Sequence, residues 1–407
     1  MTTRLIASLL FTTAFTLAAA SGAAADDKIV KIGVLSDQSG LYADNAGPGS
    51  TLAAQMAMED SGLTGKGWKI DVIAGDHQNK PDVGSSIARR WLDVDKVDVI
   101  ADVPNSGVAL AVNNIVKEKN GVHINSGAAT SDLTNAQCSP NTVHWTYDTY
   151  MLAHTTGQAL VKAGGTTWFF LTADYAFGAA LERDTTAVVV ANGGKVLGGV
   201  RHPLNTSDFS SFLLQAQSSG AKVIGLANAG GDTTNSIKQA AEFGIVKGGQ
   251  KLAALLLFST DVKGIGLETA QGLSFTETFY WDMNDDTRAF SKRFSARTKN
   301  GAPPTMEQAG VYSGLVHYLK ALEALGDNPH DGVKVVDKMK SMPTDDPLFG
   351  KGSIQPNGRK IHPAYLFEVK KPSESKAPWD LYKLVSTVPG DQAFTPLSES
   401  KCALLKK

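Results

Sequence analysis

The chain has 407 residues, of which 42% are apolar and 19% charged, the proportions of a globular rather than a disordered polypeptide. Its 39 Lys and Arg stand against 40 Asp and Glu, a net charge of −1. A general nucleic-acid or anionic-membrane binder needs a basic surplus, so those partners are disfavoured. The length predicts two domains of ordinary size.

In chain order the first feature is an export signal over residues 1–25. Arg4 gives a weakly basic start, Leu5 to Ala20 is an apolar run, and Ala23-Ala24-Ala25 supplies small residues before Asp26. That layout predicts cleavage after Ala25 and a periplasmic mature protein. The run is short for a helix crossing about 30 Å of hydrocarbon. No later stretch is long and apolar enough to span, so the mature chain is expected to be soluble. Cys138 and Cys402 are the two cysteines, and in an oxidising compartment they are expected to pair.

Strands and helices then alternate. Strands are predicted over 29–35, 68–74, 97–101 and 122–125, separated by helices over 49–61, 81–94 and 107–119. The β-branched runs mark the strands and the 3.6-residue apolar spacing marks the helices. The pattern restarts near residue 147, with strands over 167–172, 195–200, 222–227, 252–258 and 272–278. Helices are predicted between them over 176–191, 209–218 and 233–243. Three helices follow, over 285–299, 306–325 and 332–341, then two strands over 364–370 and 379–388. Repeated strand–helix–strand units predict an α/β fold of two Rossmann-like halves, each a parallel sheet flanked by helices.

Catalytic motifs are missing. There is no G-x-S-x-G elbow, no H-E-x-x-H and no phosphate-binding P-loop. Gly47-Pro-Gly49 lacks the third glycine of a dinucleotide fingerprint. The eight histidines are scattered without metal-ligand spacing. Asp282, Asp285 and Asp286 lack the spacing of a calcium loop. No enzyme activity, cofactor or metal is expected, and a binding protein is. Four loops after strands are rich in Gly, Ser, Asn and Thr: 36–42, 103–107, 125–130 and 228–232. Ligands of open α/β sheets sit at such strand ends, where free N–H groups at helix starts suit a carboxylate. Helix capping explains any single one of these loops equally well.

KIGVLSDQSG, VDVIADVPNSGVALAV, GVHINSGAATSDLT, FFLTADYAFGAAL and RHPLNTSDFSSFLLQAQSSGAKVIGLANAGGD, in this order and spacing, resemble substrate-binding proteins of branched-chain amino-acid-type ABC transporters, the Leu/Ile/Val-binding protein family. The resemblance implies a type I periplasmic binding fold: two lobes joined by a three-crossing hinge. Lobe I would comprise 26–147 and 281–363. Lobe II would comprise 148–280 and 364–407, its tail returning to lobe I. It implies a soluble receptor, expected to be monomeric, that binds a small carboxylate between the lobes and delivers it to the membrane permease. A sensing subunit of the same fold is the alternative.

By the same resemblance, the carboxylate-binding positions are Asn105 and Ser106, with Ala128, Ala129 and Thr130 on the next loop. Tyr42, with Tyr175 or Phe177, would form the aromatic wall, and core filling is the alternative for each, for Phe177 on near-even terms. In lobe II the family's aromatic partner is absent from 228–232, leaving Asn228, Asp232 and Asp261 as candidates there. That departure favours an aromatic or other organic acid over a branched-chain or hydrophobic amino acid, whose ammonium would require an anionic partner.

Overall fold

The computed structural model describes residues 28–326 and 330–405; the expected export signal lies outside them. The first unit runs β1 (Ile29–Ser36), α1 (Gly47–Asp60), β2 (Lys69–Asp76), α2 (Pro81–Arg90), β3 (Val99–Asp102), α3 (Ser106–Lys119), β4 (Val122–Asn125) and β5 (Thr142–His144). Its five strands are all parallel in the order β2-β1-β3-β4-β5. Val30, Ile32 and Val34 alternate along β1 into one core, whereas Leu35 joins Val108, Ala109 and Val112 of α3 on the opposite face. Both faces are covered, so these strands read as near-continuous apolar runs.

Two short helices, α4 (Thr149–Leu152) and α5 (Gln158–Lys162), joined by a π-helical turn, lead to the second unit. That unit runs β6 (Thr167–Ala173), α6 (Ala176–Ala191), β7 (Lys195–His202), α7 (Ser210–Ser218), β8 (Val223–Ala227), α8 (Gly231–Glu242) and β9 (Lys251–Ala254). The four strands are parallel in the order β7-β6-β8-β9. Then come α9 (Ser259–Ile265), α10 (Leu267–Ala270), β10 (Ser274–Glu277), α11 (Asp285–Ser295), α12 (Met306–Leu325) and α13 (Gly332–Ser341). A small antiparallel sheet of β11 (Thr344–Asp346), β12 (Gly350–Ile354) and β13 (Lys360–Ile361) follows. The chain ends with β14 (Ala364–Val369), β15 (Tyr382–Val388) and α14 (Gly390–Ala393), and β14 pairs antiparallel with β10 and β15. The α/β class with two parallel sheets is as the sequence implies.

The differences are local. The strand expected over 252–258 stops at Ala254, where its pairing with β8 ends at Leu226. Beyond that point the chain turns through Leu255–Phe258 into α9. α2 loses its α-helical pattern after Arg90 and continues as a π-helical turn to Asp95. Cys138 and Cys402 are joined in a disulfide that ties the tail to the loop after β4. α12 is capped by Thr305, whose Oγ1 accepts from Gln308 N at 3.2 Å while Gln308 Oε1 accepts from Thr305 N at 3.1 Å. It packs against α1, β3 and β4. That seats its first turn at the strand ends of the first sheet.

Candidate functional site

Both sheets change winding direction between their second and third strands, β1 and β3 in one, β6 and β8 in the other. In open α/β sheets that switch point leaves a crevice at the C-terminal strand ends. Here the two crevices face each other across a nearly filled cavity with about 10 Å³ of free space. Its wall takes Tyr42 and Asn45 from after β1, Pro104 from after β3, Gly127 and Ala129 from after β4 and Tyr147 from after β5. The second unit adds Tyr175 and Phe177 after β6, Ala229 after β8, and Leu256 and Phe258 after β9. Glu307, in the first turn of α12, completes it.

The two units touch through this wall. The Tyr42 and Tyr175 hydroxyls are 2.6 Å apart, a hydrogen bond from one unit to the other. Thr260 Oγ1 donates to Asn45 Oδ1 at 2.5 Å. Farther out, Asp184 of α6 accepts from Ser131 Oγ at 2.8 Å, and Arg183 pairs with Asp132 at 3.2 Å. Tyr42 owes its position to Asp37, whose carboxylate accepts from Gly40 N and Tyr42 N, both at 2.8 Å, and from Asn79 Nδ2 at 2.6 Å. Gly230, at φ +58°, lets the second unit approach closely, because a Cβ there would meet Leu41 O at 2.8 Å.

Four of the residues expected at a site, Tyr42, Ala129, Tyr175 and Phe177, line the cavity. The others lie behind that wall, held in bonds of their own. Asn105 Oδ1 caps α3 by accepting from Gly107 N at 2.9 Å and Val108 N at 3.1 Å. Ser106 Oγ accepts from Thr130 N at 3.2 Å. Ala128 N donates to Asn125 Oδ1 at 3.2 Å. Thr130 Oγ1 donates to Asp132 Oδ2 at 3.2 Å. Asn228 bonds His202 and Thr233. Asp232 accepts from Asn205 N at 3.1 Å and Thr206 N at 2.8 Å, and burial pushes its carboxyl up to about 7. Asp261 accepts from Phe258 N at 3.0 Å, fixing the start of α9, and burial likewise raises it to about 7.

Sequence reasoning missed Tyr147 and Glu307. Tyr147 follows β5, a strand of three residues that carries no periodicity of its own. Its hydroxyl donates to Gly127 O at 2.7 Å and reaches Glu307 Oε2 at 3.3 Å, and its ring meets Phe258 edge-on at 6.0 Å. Glu307 sits two residues after an N-cap threonine, where an acid is ordinary. The signal that marks it is its burial, 2% exposed in a helix turn facing the core. Gly127 is small for its sake: a Cβ there would lie 2.1 Å from Glu307 Oε1. Burial, and then the neighbouring Asp102 carboxyl, hold Glu307 well above the usual carboxylate range, and burial raises Asp102 as well.

A family model described as periplasmic binding protein matches residues 29–376. The chain is 54% identical to a periplasmic binding protein from Burkholderia mallei whose structure is solved, covering 93% of this chain and 100% of that one with a TM-score of 0.89. It is 42% identical to a branched chain amino acid ABC transporter periplasmic ligand-binding protein from Burkholderia xenovorans, covering 92% and 99% with a TM-score of 0.81. It is 25% identical to an ABC transporter solute binding protein from R. palustris in complex with 4-hydroxybenzoate, covering 89% and 97% with a TM-score of 0.79. With the family model spanning most of its length and both sheets arranged as in these structures, the chain belongs to the periplasmic binding protein family and has the type I fold of its ABC-transporter solute receptors.

Proposed function

We propose that the protein is a periplasmic solute receptor of an ABC importer. It closes on a small carboxylate-bearing ligand with an apolar or aromatic body and presents the closed form to the membrane permease. The observation that carries this reading is the cavity, walled by both units and bridged by the Tyr42–Tyr175 bond. A ligand there contacts both units only when they are together, so binding favours closure by the difference in its affinity for the two states. Tyr42, Tyr147, Tyr175, Phe177 and Phe258 supply flat apolar surface. The lobes are taken as 26–147 with 281–363, and 148–280 with 364–407. Residues 128–130 are the loop that a ligand carboxylate would meet. No chemical step is invoked.

A thermal-shift screen of the mature protein against amino acids, aromatic acids and aliphatic acids tests the reading. A saturable shift with one of these classes, abolished by Tyr175→Ala, is expected. Binding that survives this truncation unchanged would place the ligand elsewhere.

A further inference from the structure

Away from the cavity, a groove with about 150 Å³ of free space runs between α11 and the link from β14 to β15. Arg288, Ser291, Lys292 and Ser295 line it at the i, i+3, i+4, i+7 spacing of one helix face. Phe290 and Phe294 of the same helix belong to the core. The pairs Arg293–Asp60 and Arg297–Glu59, each at 2.7 Å, fasten α11 to α1 of the first unit. Trp281 and Trp379 complete the groove with Gly301 and Pro303. Trp379 packs against the cluster that contains Ile224 and Leu226 of β8 and Leu252 of β9, so its side of the groove belongs to the second unit. Its carbonyl accepts from Tyr280 Oη at 2.7 Å and from Trp281 Nε1 at 2.8 Å.

Ser291 is 2% exposed and its Oγ has no hydrogen-bond partner, although burying a hydroxyl without one is costly. Among the described residues the groove is lined by two cations and no acid, whereas the cavity between the units has Glu307 on its wall. Arg288 is taken up by Asp282 at 2.9 Å and Asp285 at 2.6 Å, but Lys292 has no ion pair among the described residues. Lys263 adds positive charge nearby: its Nζ lies 5.7 Å from the Trp379 ring centroid and donates to a backbone carbonyl, Pro378 O, at 3.0 Å. The two indoles supply flat apolar surface, and an apolar cavity of about this volume accepts a benzene ring. We infer that this groove is a second binding site, separate from the cavity, for a small aromatic carboxylate. Its ring would lie against Trp281 and Trp379, and its carboxylate would accept from Ser291 Oγ and Lys292 Nζ. The hydroxyl and the charge that the protein leaves unmatched are then both matched by one ligand group.

The test is fluorine NMR on the mature protein labelled with fluorotryptophan, the signals of Trp281 and Trp379 being assigned with Trp281→Phe and Trp379→Phe. The probes are benzoate and phenylacetate, with benzamide and phenylacetamide as neutral counterparts of nearly the same shape. Saturable movement of both assigned signals is expected with at least one of the acids. Its amide should bind roughly 3- to 10-fold weaker, the range for an exposed ion pair reinforced by one hydrogen bond. Lys292→Gln, at an exposed position, should erase that preference. Ser291→Ala should weaken the acid several-fold without lowering the urea midpoint, because it removes a hydroxyl that nothing in the protein bonds. Tyr175→Ala, which alters the cavity, should leave the titrations unchanged. Signals that stay put with both acids up to tens of millimolar overturn the inference, as does an amide that binds as tightly as its acid. Movement that is lost in Tyr175→Ala and kept in Lys292→Gln assigns the probe to the cavity and overturns it too. The receptor reading survives each of these results, since it rests on the cavity and not on the groove.

Discussion

A side chain that looks like a ligand contact in sequence often turns out to hold the loop that makes the contact. Thr130 is one. Its hydroxyl donates to Asp132 Oδ2 and accepts from Asp132 N at 3.3 Å, capping the 3-10 turn that follows. Thr130→Val should therefore cost about 1 kcal/mol of stability in urea denaturation, the usual worth of a cap. Ligand affinity should change by less than about threefold; a tenfold or greater loss would mean that the hydroxyl turns into the cleft. Asp232 makes a second case, with a pH signature. Its carboxyl, 1% exposed, titrates near 7 when folded and near 3.8 when unfolded. A raised folded value means that the folded state holds a proton the unfolded state releases. The stability this contributes is complete below about pH 4 and is lost as the pH rises to 7, at up to ~1.4 kcal/mol per unit. Asp232→Asn cannot titrate. The stability of the parent relative to this variant should fall from pH 4.5 to pH 7, and a constant difference would show that the carboxylate is ionised throughout. Glu307 was the least legible residue. Its type and place suit an ordinary first-turn acid, and only the packing of α12 against β3 and β4 buries it.

At the scale of elements, the connections between the units carry a buried ion pair. Asp148 caps α4 through Met151 N at 2.8 Å and faces Arg359 Nη1 at 3.4 Å. Arg359 also donates to Thr146 O and, at 2.9 Å, to Lys360 O, with its guanidinium 4.4 Å from the Phe394 ring. The segment after β5 and the segment before β14 are thereby bonded side by side. Burial raises Asp148 to about 6 and lowers Arg359 to about 10, so desolvation outweighs their attraction in each case. Breaking such a pair leaves one uncompensated charge and costs about 3–5 kcal/mol. Arg359→Met should lose that much in urea denaturation, and adding Asp148→Asn, which can still cap α4, should restore more than half. Equal losses in the single and double variants would show that Arg359 acts through packing alone. Little of this was visible in sequence. The long parallel strands and amphipathic helices announce themselves by periodicity. β5 and the β11–β13 sheet are two to five residues long, and their pairing depends on partners distant in the chain. His362, whose Nε2 lies 3.2 Å from both Trp145 O and Thr146 O, joins the same connection across more than 200 residues.

For the whole molecule, the variable on which the proposed function turns is how closely the two units approach. The Tyr42–Tyr175 bond, which joins the two units, offers a probe of that approach. Tyr42 is buried and Tyr175 partly so, and desolvation raises both above the usual phenol range, so both are protonated and one donates to the other. When the units separate, each hydroxyl gains water instead, so the bond contributes only its net value, about 0.5–1.5 kcal/mol, and only to the closed form. Tyr42→Phe should thus weaken apparent ligand affinity by roughly 2- to 10-fold, because a smaller share of molecules occupies the closed state. The urea midpoint of the ligand-free protein should stay close to that of the parent, provided each unit's own packing keeps the ring. Contact between a hydroxyl and the ligand itself would produce a similar loss, and a double-mutant cycle separates the two causes. If the bond between the tyrosines carries the effect, Tyr175→Phe alone should lose as much as Tyr42→Phe, and the double variant little more than either. Small-angle scattering should then show the singly and doubly altered proteins equally more open at subsaturating ligand. Losses that add in the double variant would assign the two hydroxyls to independent ligand contacts and remove this bond from the closing equilibrium.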